Sequence, residues 1–147
     1  RTLDEAKQVI AIMEKAGLKR GKNGLQLYMM VEIPSNVILA EDFAPLFDGF
    51  SIGSNDLTQL TLGLDRDAGL LAHIGNEKNE AVKKLVARAI DVAKKTKTKI
   101  GICGQAPSDF PDFAKFLVDE GIDSIALNPD SVIKTMLEMS KPEKKKK

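Results

Sequence analysis

Alternation of short apolar runs with amphipathic stripes predicts an α/β protein built on parallel strands. Three observations carry that prediction. The elements follow the order α-β-α-β-α-α-β-α-β-α, and strict strand–helix alternation means parallel strands joined by right-handed crossovers. Polar residues gather where the apolar runs end, above all in Phe50-Ser51-Ile52-Gly53-Ser54-Asn55-Asp56-Leu57-Thr58-Gln59; parallel α/β proteins place their sites at the carboxyl ends of strands. No glycine-rich dinucleotide or P-loop pattern follows any strand, which removes the usual cofactor reasons for an open sheet. Four strands fit either an open sheet or half of an eight-stranded barrel.

The elements follow from the residues in turn. Leu3, Val9, Ile10, Ile12 and Met13 form a helical stripe over 3–16, with Gly17 as its cap. Residues 25–33 are rich in apolar side chains, including the Met29-Met30 pair, and predict a strand buried on both faces that Pro34 ends. Ser35 or Asn36 can cap a helix reaching to Phe47. Residues 48–52 predict the second strand, and a helix follows from Asp56 or Leu57. Periodicity fades over 63–79, where glycine, aspartate and asparagine collect, as in a functional loop. Residues 81–95 predict an amphipathic helix with Val82, Leu85, Val86, Ala89, Ile90 and Ala93 on one side. A strand at 99–103 is followed by a helix from Ser108 or Asp109 that buries Phe113, Phe116 and Leu117 and stops at Gly121. Residues 124–127 predict the last strand, and Pro129 suits the first turn of a helix over 130–139 capped by Asn128.

A length of 147 residues is one domain's worth of chain, here 1–139 with a lysine-rich tail, 140–147, that is expected to fray in solvent. A net charge of +1 gives no reason to expect nucleic acid or a membrane surface. No apolar run approaches the roughly 18 residues needed to span a bilayer. One cysteine excludes an internal disulfide and suits a reducing cytoplasm. The chain starts at Arg1, already helical in pattern, as expected of a piece cut from something longer.

The strand ends bring a limited set of chemistry to one rim: Glu32, then Ser54, Asn55 and Asp56, then Cys103, then Asn128. Two carboxylates among hard oxygen donors suit Mg²⁺, which completes its octahedron with water and substrate oxygens. A single cysteine and a single histidine fall short of a closed zinc site. Each residue has a plainer reading. Glu32 could pair with a rim lysine, Asp56 could cap a helix, and Cys103 could be a buried structural thiol. Against the last, Gly104 leaves room for a ligand's close approach. A thiol near neutrality can also give a proton as well as take one. His73 and Arg66 read as loop residues rather than as a phosphate carrier or clamp.

Three motifs in order extend this reading: Met30-Val31-Glu32-Ile33-Pro34, the run from Gly53 to Asp67, and Ile102-Cys103-Gly104-Gln105-Ala106-Pro107-Ser108-Asp109. Together, over residues 18–137, they resemble the PEP-utilising enzymes. Two branches of that family, pyruvate phosphate dikinase and the phosphotransferase-system enzyme I, typically carry Gly-Thr-Asn-Asp and Cys-Gly-Glu in these places. Ser54 and Gln105 point instead to the branch that makes phosphoenolpyruvate from pyruvate, ATP and water through a phosphohistidine.

The resemblance implies that the parallel units are the carboxyl-terminal half of a TIM-type (β/α)₈ barrel binding pyruvate or phosphoenolpyruvate. It makes Glu32 and Asp56 the Mg²⁺ ligands. Gly53, Ser54 and Asn55, with those two carboxylates, line the substrate, and Cys103 is the proton donor. It also implies what is missing: the nucleotide-binding and phosphohistidine domains, and the earlier strands with their phosphate-holding arginines. A half-barrel has two unpaired edges, so the chain alone is expected to be unstable or to close on a second copy as a homo-oligomer. Competing readings are a non-catalytic half-barrel that binds Mg²⁺ and pyruvate-like anions, or a lyase or aldolase acting on pyruvate enolates.

Overall fold

The computed structural model describes residues 1–65 and 75–140, and the expectations for Arg66 and His73 fall outside them. Four strands, β1 (Tyr28–Val31), β2 (Gly49–Ile52), β3 (Lys99–Ile102) and β4 (Ser124–Ile125), form one sheet in the order β1-β2-β3-β4, every pair parallel. Sequence order without a reversal lacks the switch point of a doubly wound sheet and is how a barrel is laid down. The architecture is therefore a partial TIM-type barrel.

The helices are α1 (Leu3–Lys15), α2 (Pro34–Ile38), α3 (Ala40–Phe43), α4 (Ser54–Leu62), α5 (Glu80–Thr96), α6 (Ala106–Asp109), α7 (Pro111–Glu120) and α8 (Val132–Met139). At the start of α1 a reciprocal box joins Thr2 and Glu5, each side chain accepting from the other's N–H at 3.1 Å. Its end is the expected glycine stop: Gly17 has φ +90°, and the N–H of Leu18 reaches the Met13 carbonyl at 2.9 Å. The stripe on α1 is only partly used. Leu3 and Ala6 pack against the core, Ile12 is exposed, and Val9 is exposed at a groove of about 590 Å³ between α1 and β1.

Prolines explain where the observed helices depart from the predicted ones. Pro34 does not merely end β1; it is the first residue of α2, where its missing N–H costs nothing, and neither Ser35 nor Asn36 caps that helix. The run to Phe47 is broken into α2, α3 and a 3-10 turn (Ala44–Leu46) that contains Pro45, which has no N–H to continue an α-helix. Pro111 forces Phe110 into an extended conformation (φ −126°, ψ 96°), splitting the predicted helix into α6 and α7. Pro129 does not open α8. The N–H and hydroxyl of Ser131 turn back onto the Asn128 carbonyl at 2.9 and 2.8 Å, and the helix begins at Val132.

The sheet has one covered face and one open face. Met29, Val31, Phe50, Ile52, Ile100 and Ile102 are buried beneath the helices, with Val86, Ala89 and Ile90 of α5 and Phe113 and Leu117 of α7. Tyr28 and Met30 point the other way and are 49% and 40% exposed. The expectation of a first strand buried on both faces is thus corrected, as is the placing of Met30 in the core: its face is the barrel interior, open in this half.

Two aspartates just before strands hold the amino-terminal rim. Asp48 accepts the N–H of Leu27 at 2.8 Å and Arg20 Nε at 2.9 Å; Asp123 accepts the N–H of Ile100 at 2.9 Å. In each case the aspartate's own N–H returns to the same partner's carbonyl. The N–H of Leu27 beside it, and then Arg20, hold the Asp48 carboxyl below its usual range.

Candidate active site

At the opposite rim the ladder continues one residue past the strands. The N–H of Gly53 reaches the Val31 carbonyl at 3.0 Å, that of Cys103 reaches Ile52 at 3.0 Å, and that of Ala126 reaches Ile102 at 2.9 Å. Glu32, Gly53, Cys103 and Ala126 therefore form one row. By the two-residue period of a strand they share a face with Met30, Ser51, Gly101 and Ser124 below them, the open interior face. Asn128, expected on this rim, lies two residues beyond the row, where its N–H donates to Ser108 Oγ at 2.9 Å.

Gly53 fixes the relation between the first two strands. A Cβ there would lie 2.9 Å from Glu32 Oε2 and 3.0 Å from Glu32 Cβ, so the glutamate side chain crosses a space that only glycine leaves. Gly53 is also the residue before α4, which begins at Ser54, earlier than the sequence predicts. That moves Asp56 inside the first turn, and it makes no capping bond. Neither Glu32 nor Asp56 has an ion pair or hydrogen bond among the described residues, so neither plainer reading of these carboxylates describes the structure.

Ser54 is fully buried, and its hydroxyl has no hydrogen-bond partner among the described residues. It sits against Gly104, where a Cβ would come within 2.8 Å of the Ser54 nitrogen. Asn55 reaches across to the next strand: its Oδ1 accepts the N–H of Gln105 at 3.2 Å, and its Nδ2 donates to Gln105 Oε1 at 3.5 Å. Cys103 is exposed, not a buried structural thiol. Its sulfur accepts from the Ser51 hydroxyl at 3.2 Å, and its thiol donates to the Ile52 carbonyl at 3.6 Å. Strand ends alone do not single out Ser51, although it stands two residues before Gly53 and alternation puts it on the same face.

No group of three or more His, Cys, Asp or Glu side chains gathers as a metal site among the described residues. Two unpaired carboxylates, one laid over a glycine cradle, are nonetheless hard oxygen donors of the kind that fits Mg²⁺ with most of its shell left to water and substrate. No described helix is long and apolar enough to cross a membrane.

Comparison with known proteins shows the family and the fold. The phosphoenolpyruvate synthase of Synechocystis sp. is 65% identical over 144 residues, 98% of this chain and 18% of that protein. That of Aquifex aeolicus is 63% identical over 145 residues (99% and 17%), and that of Escherichia coli 56% over 144 (98% and 18%). The chain thus spans less than a fifth of the length of the curated relatives it matches. An HpcH/Hpal aldolase/citrate lyase family protein from Burkholderia cenocepacia shares the fold, with a TM-score of 0.56 at 19% identity, covering 87% of this chain and 46% of that one. The family described as PEP-utilising enzyme, PEP-binding domain, matches residues 1–144, further at both ends than the three motifs reach. The chain belongs to the PEP-utilising enzyme family.

Proposed function

We propose that the chain is the half of a phosphoenolpyruvate synthase barrel that carries the proton donor and the divalent-cation ligands, acting on pyruvate and phosphoenolpyruvate. The observation that carries this reading is the single open row of Glu32, Gly53 and Cys103 at the carboxyl rim, flanked by the first turn of α4. Glu32 and Asp56 would hold Mg²⁺, which supplies Lewis-acid stabilisation of a developing oxyanion. The N–H groups at the start of α4, from Ser54 to Asp56, have no partner within the helix and suit an anionic substrate group. Cys103 transfers a proton: its S–H bond breaks, the electron pair stays on sulfur, and a C–H bond forms at the methylene carbon of enolpyruvate. In the synthetic direction the same sulfur takes a methyl proton from pyruvate.

ATP, the phosphohistidine and the phosphate-holding cations come from outside this chain. So does the other half of the barrel, supplied by preceding strands of a longer chain rather than by a second copy. In a closed pair of copies β4 of one chain would lie beside β1 of the other. The helix α8 and the partner's α1 would then both need the one helix position between those strands. We place the enzyme in the cytoplasm, where exposed Cys103 remains a thiol.

The test replaces the matching segment of the Escherichia coli relative with this chain and follows exchange of the pyruvate methyl protons in deuterated water. The expected result is exchange that Cys103→Ala abolishes without weakening Mg²⁺ binding, and that Asp56→Asn supports only at raised Mg²⁺. Undiminished exchange in the cysteine variant would sink the proton-donor assignment.

A further inference from the structure

Two bonds from β2 grip the sulfur of Cys103, and they behave differently when its proton leaves. The thiol's own bond to the Ile52 carbonyl, at 3.6 Å, is made with that proton and disappears with it. The bond from the Ser51 hydroxyl, at 3.2 Å, is made to the sulfur and survives. Once the sulfur is negative this second bond becomes charge-assisted, roughly twice as strong as a neutral one. Ser51 is placed for it by register: its strand neighbours are Met30 and Gly101, and Gly101 puts no side chain of its own between the hydroxyl and β3.

We infer that Ser51 is a positioning residue for Cys103, orienting the sulfur and keeping its hydrogen bond to it once the proton has been delivered. The inference rests on the reading of Cys103 as proton donor. It predicts that removing the hydroxyl makes the sulfur less reactive, whereas a merely space-filling Ser51 predicts equal or faster reaction, because Ser51→Ala uncovers the thiol.

Cys103 is the chain's one cysteine, so alkylation by iodoacetamide at neutral pH, followed by mass, reads this sulfur alone. Ser51→Ala is expected to slow alkylation about tenfold, the scale of one hydrogen bond to a charged group, with the melting curve unchanged; Ser51→Thr is expected to restore the rate. Alkylation of Ser51→Ala at the native rate, or no recovery with threonine, would overturn the inference. Should the alanine variant unfold, the native chain is compared with the same chain in urea: faster alkylation of the folded sulfur supports the grip, and slower alkylation overturns it. No pyruvate takes part, so the two readings fail separately. Loss of isotope exchange in Cys103→Ala with no Ser51 effect on alkylation retires Ser51 alone. A Ser51 effect with exchange intact removes the premise and leaves only a structural contact.

Discussion

Asn55 and Gln105 close a two-bond bracket over the ends of β2 and β3, at 3.2 Å from the Gln105 N–H and 3.5 Å to its side-chain oxygen. It joins the turn that carries Asp56 to the turn that follows Cys103, and so sets the spacing between the carboxylate and thiol parts of the proposed site. The family resemblance assigns Asn55 to the substrate, yet the protein already uses half of its hydrogen-bonding capacity. One lone pair on Oδ1 and one amide hydrogen are left for a ligand.

Asn55→Ala should therefore weaken the fold as well as binding. Losing the bracket costs about 1 kcal/mol, which for a chain of this size lowers the melting temperature by about 3 °C. Asn55→Asp keeps the acceptor for the Gln105 N–H but sets an anion against the Gln105 oxygen and the anionic substrate. In the grafted enzyme it should raise the KM for pyruvate more than alanine does while melting closer to the native chain.

The two glycines of the site should fail in opposite ways. A methyl at Gly104 meets the backbone nitrogen of buried Ser54, which cannot move aside, so Gly104→Ala should cost about 1–3 kcal/mol of stability. A methyl at Gly53 meets the far end of the Glu32 side chain, which can swing away, and also Glu32 Cβ at 3.0 Å, which can give only slightly. Gly53→Ala should cost less stability than Gly104→Ala and weaken Mg²⁺ binding more, by displacing one of its two proposed carboxylates. Thermal melting and metal titration of the two variants separate the effects; equal losses in both assays would contradict the assignment.

The far rim predicts an acid-sensitive element. Asp48 is held below its ordinary value of 3.8 by the Leu27 N–H and then Arg20, so its contribution to stability is complete above that value. It is lost as pH falls below about 3.8 and through the folded-state value. Asp48→Asn should lower the melting temperature at pH 7, and the gap between variant and native chain should close as pH drops under that value. A gap independent of pH would mean that the carboxylate's charge contributes nothing.

Element types were legible because strand and helix periods, and the stops at Gly17 and Gly121, are local properties of the chain. Boundaries moved where a proline acted on its neighbour, at Phe110 before Pro111 and at Ile33 before Pro34. The rim membership of Glu32, Asp56 and Cys103 could be expected from strand ends alone. The Asn55–Gln105 bracket and the Ser51–Cys103 contact could not, because each joins residues about fifty positions apart through the register of β2 and β3. Met30 misled for a related reason: an apolar residue facing a barrel interior looks like core in the sequence, and it is exposed when the opposite strands are not there.

That open interior gives the last prediction. The chain has one tyrosine and no tryptophan, so its near-ultraviolet fluorescence comes from Tyr28, half-exposed on the inner face of edge strand β1. If preceding strands of a longer chain complete the barrel, the isolated chain should sediment as a monomer, with Tyr28 emission readily quenched by iodide. Closure by a second copy would instead cover β1 with the partner's β4 and shield the ring. The competition between α8 and the partner's α1 for one position argues against that arrangement. A dimer of twice the chain mass, with Tyr28 protected from iodide, would show that the helices can rearrange and that two copies build the barrel.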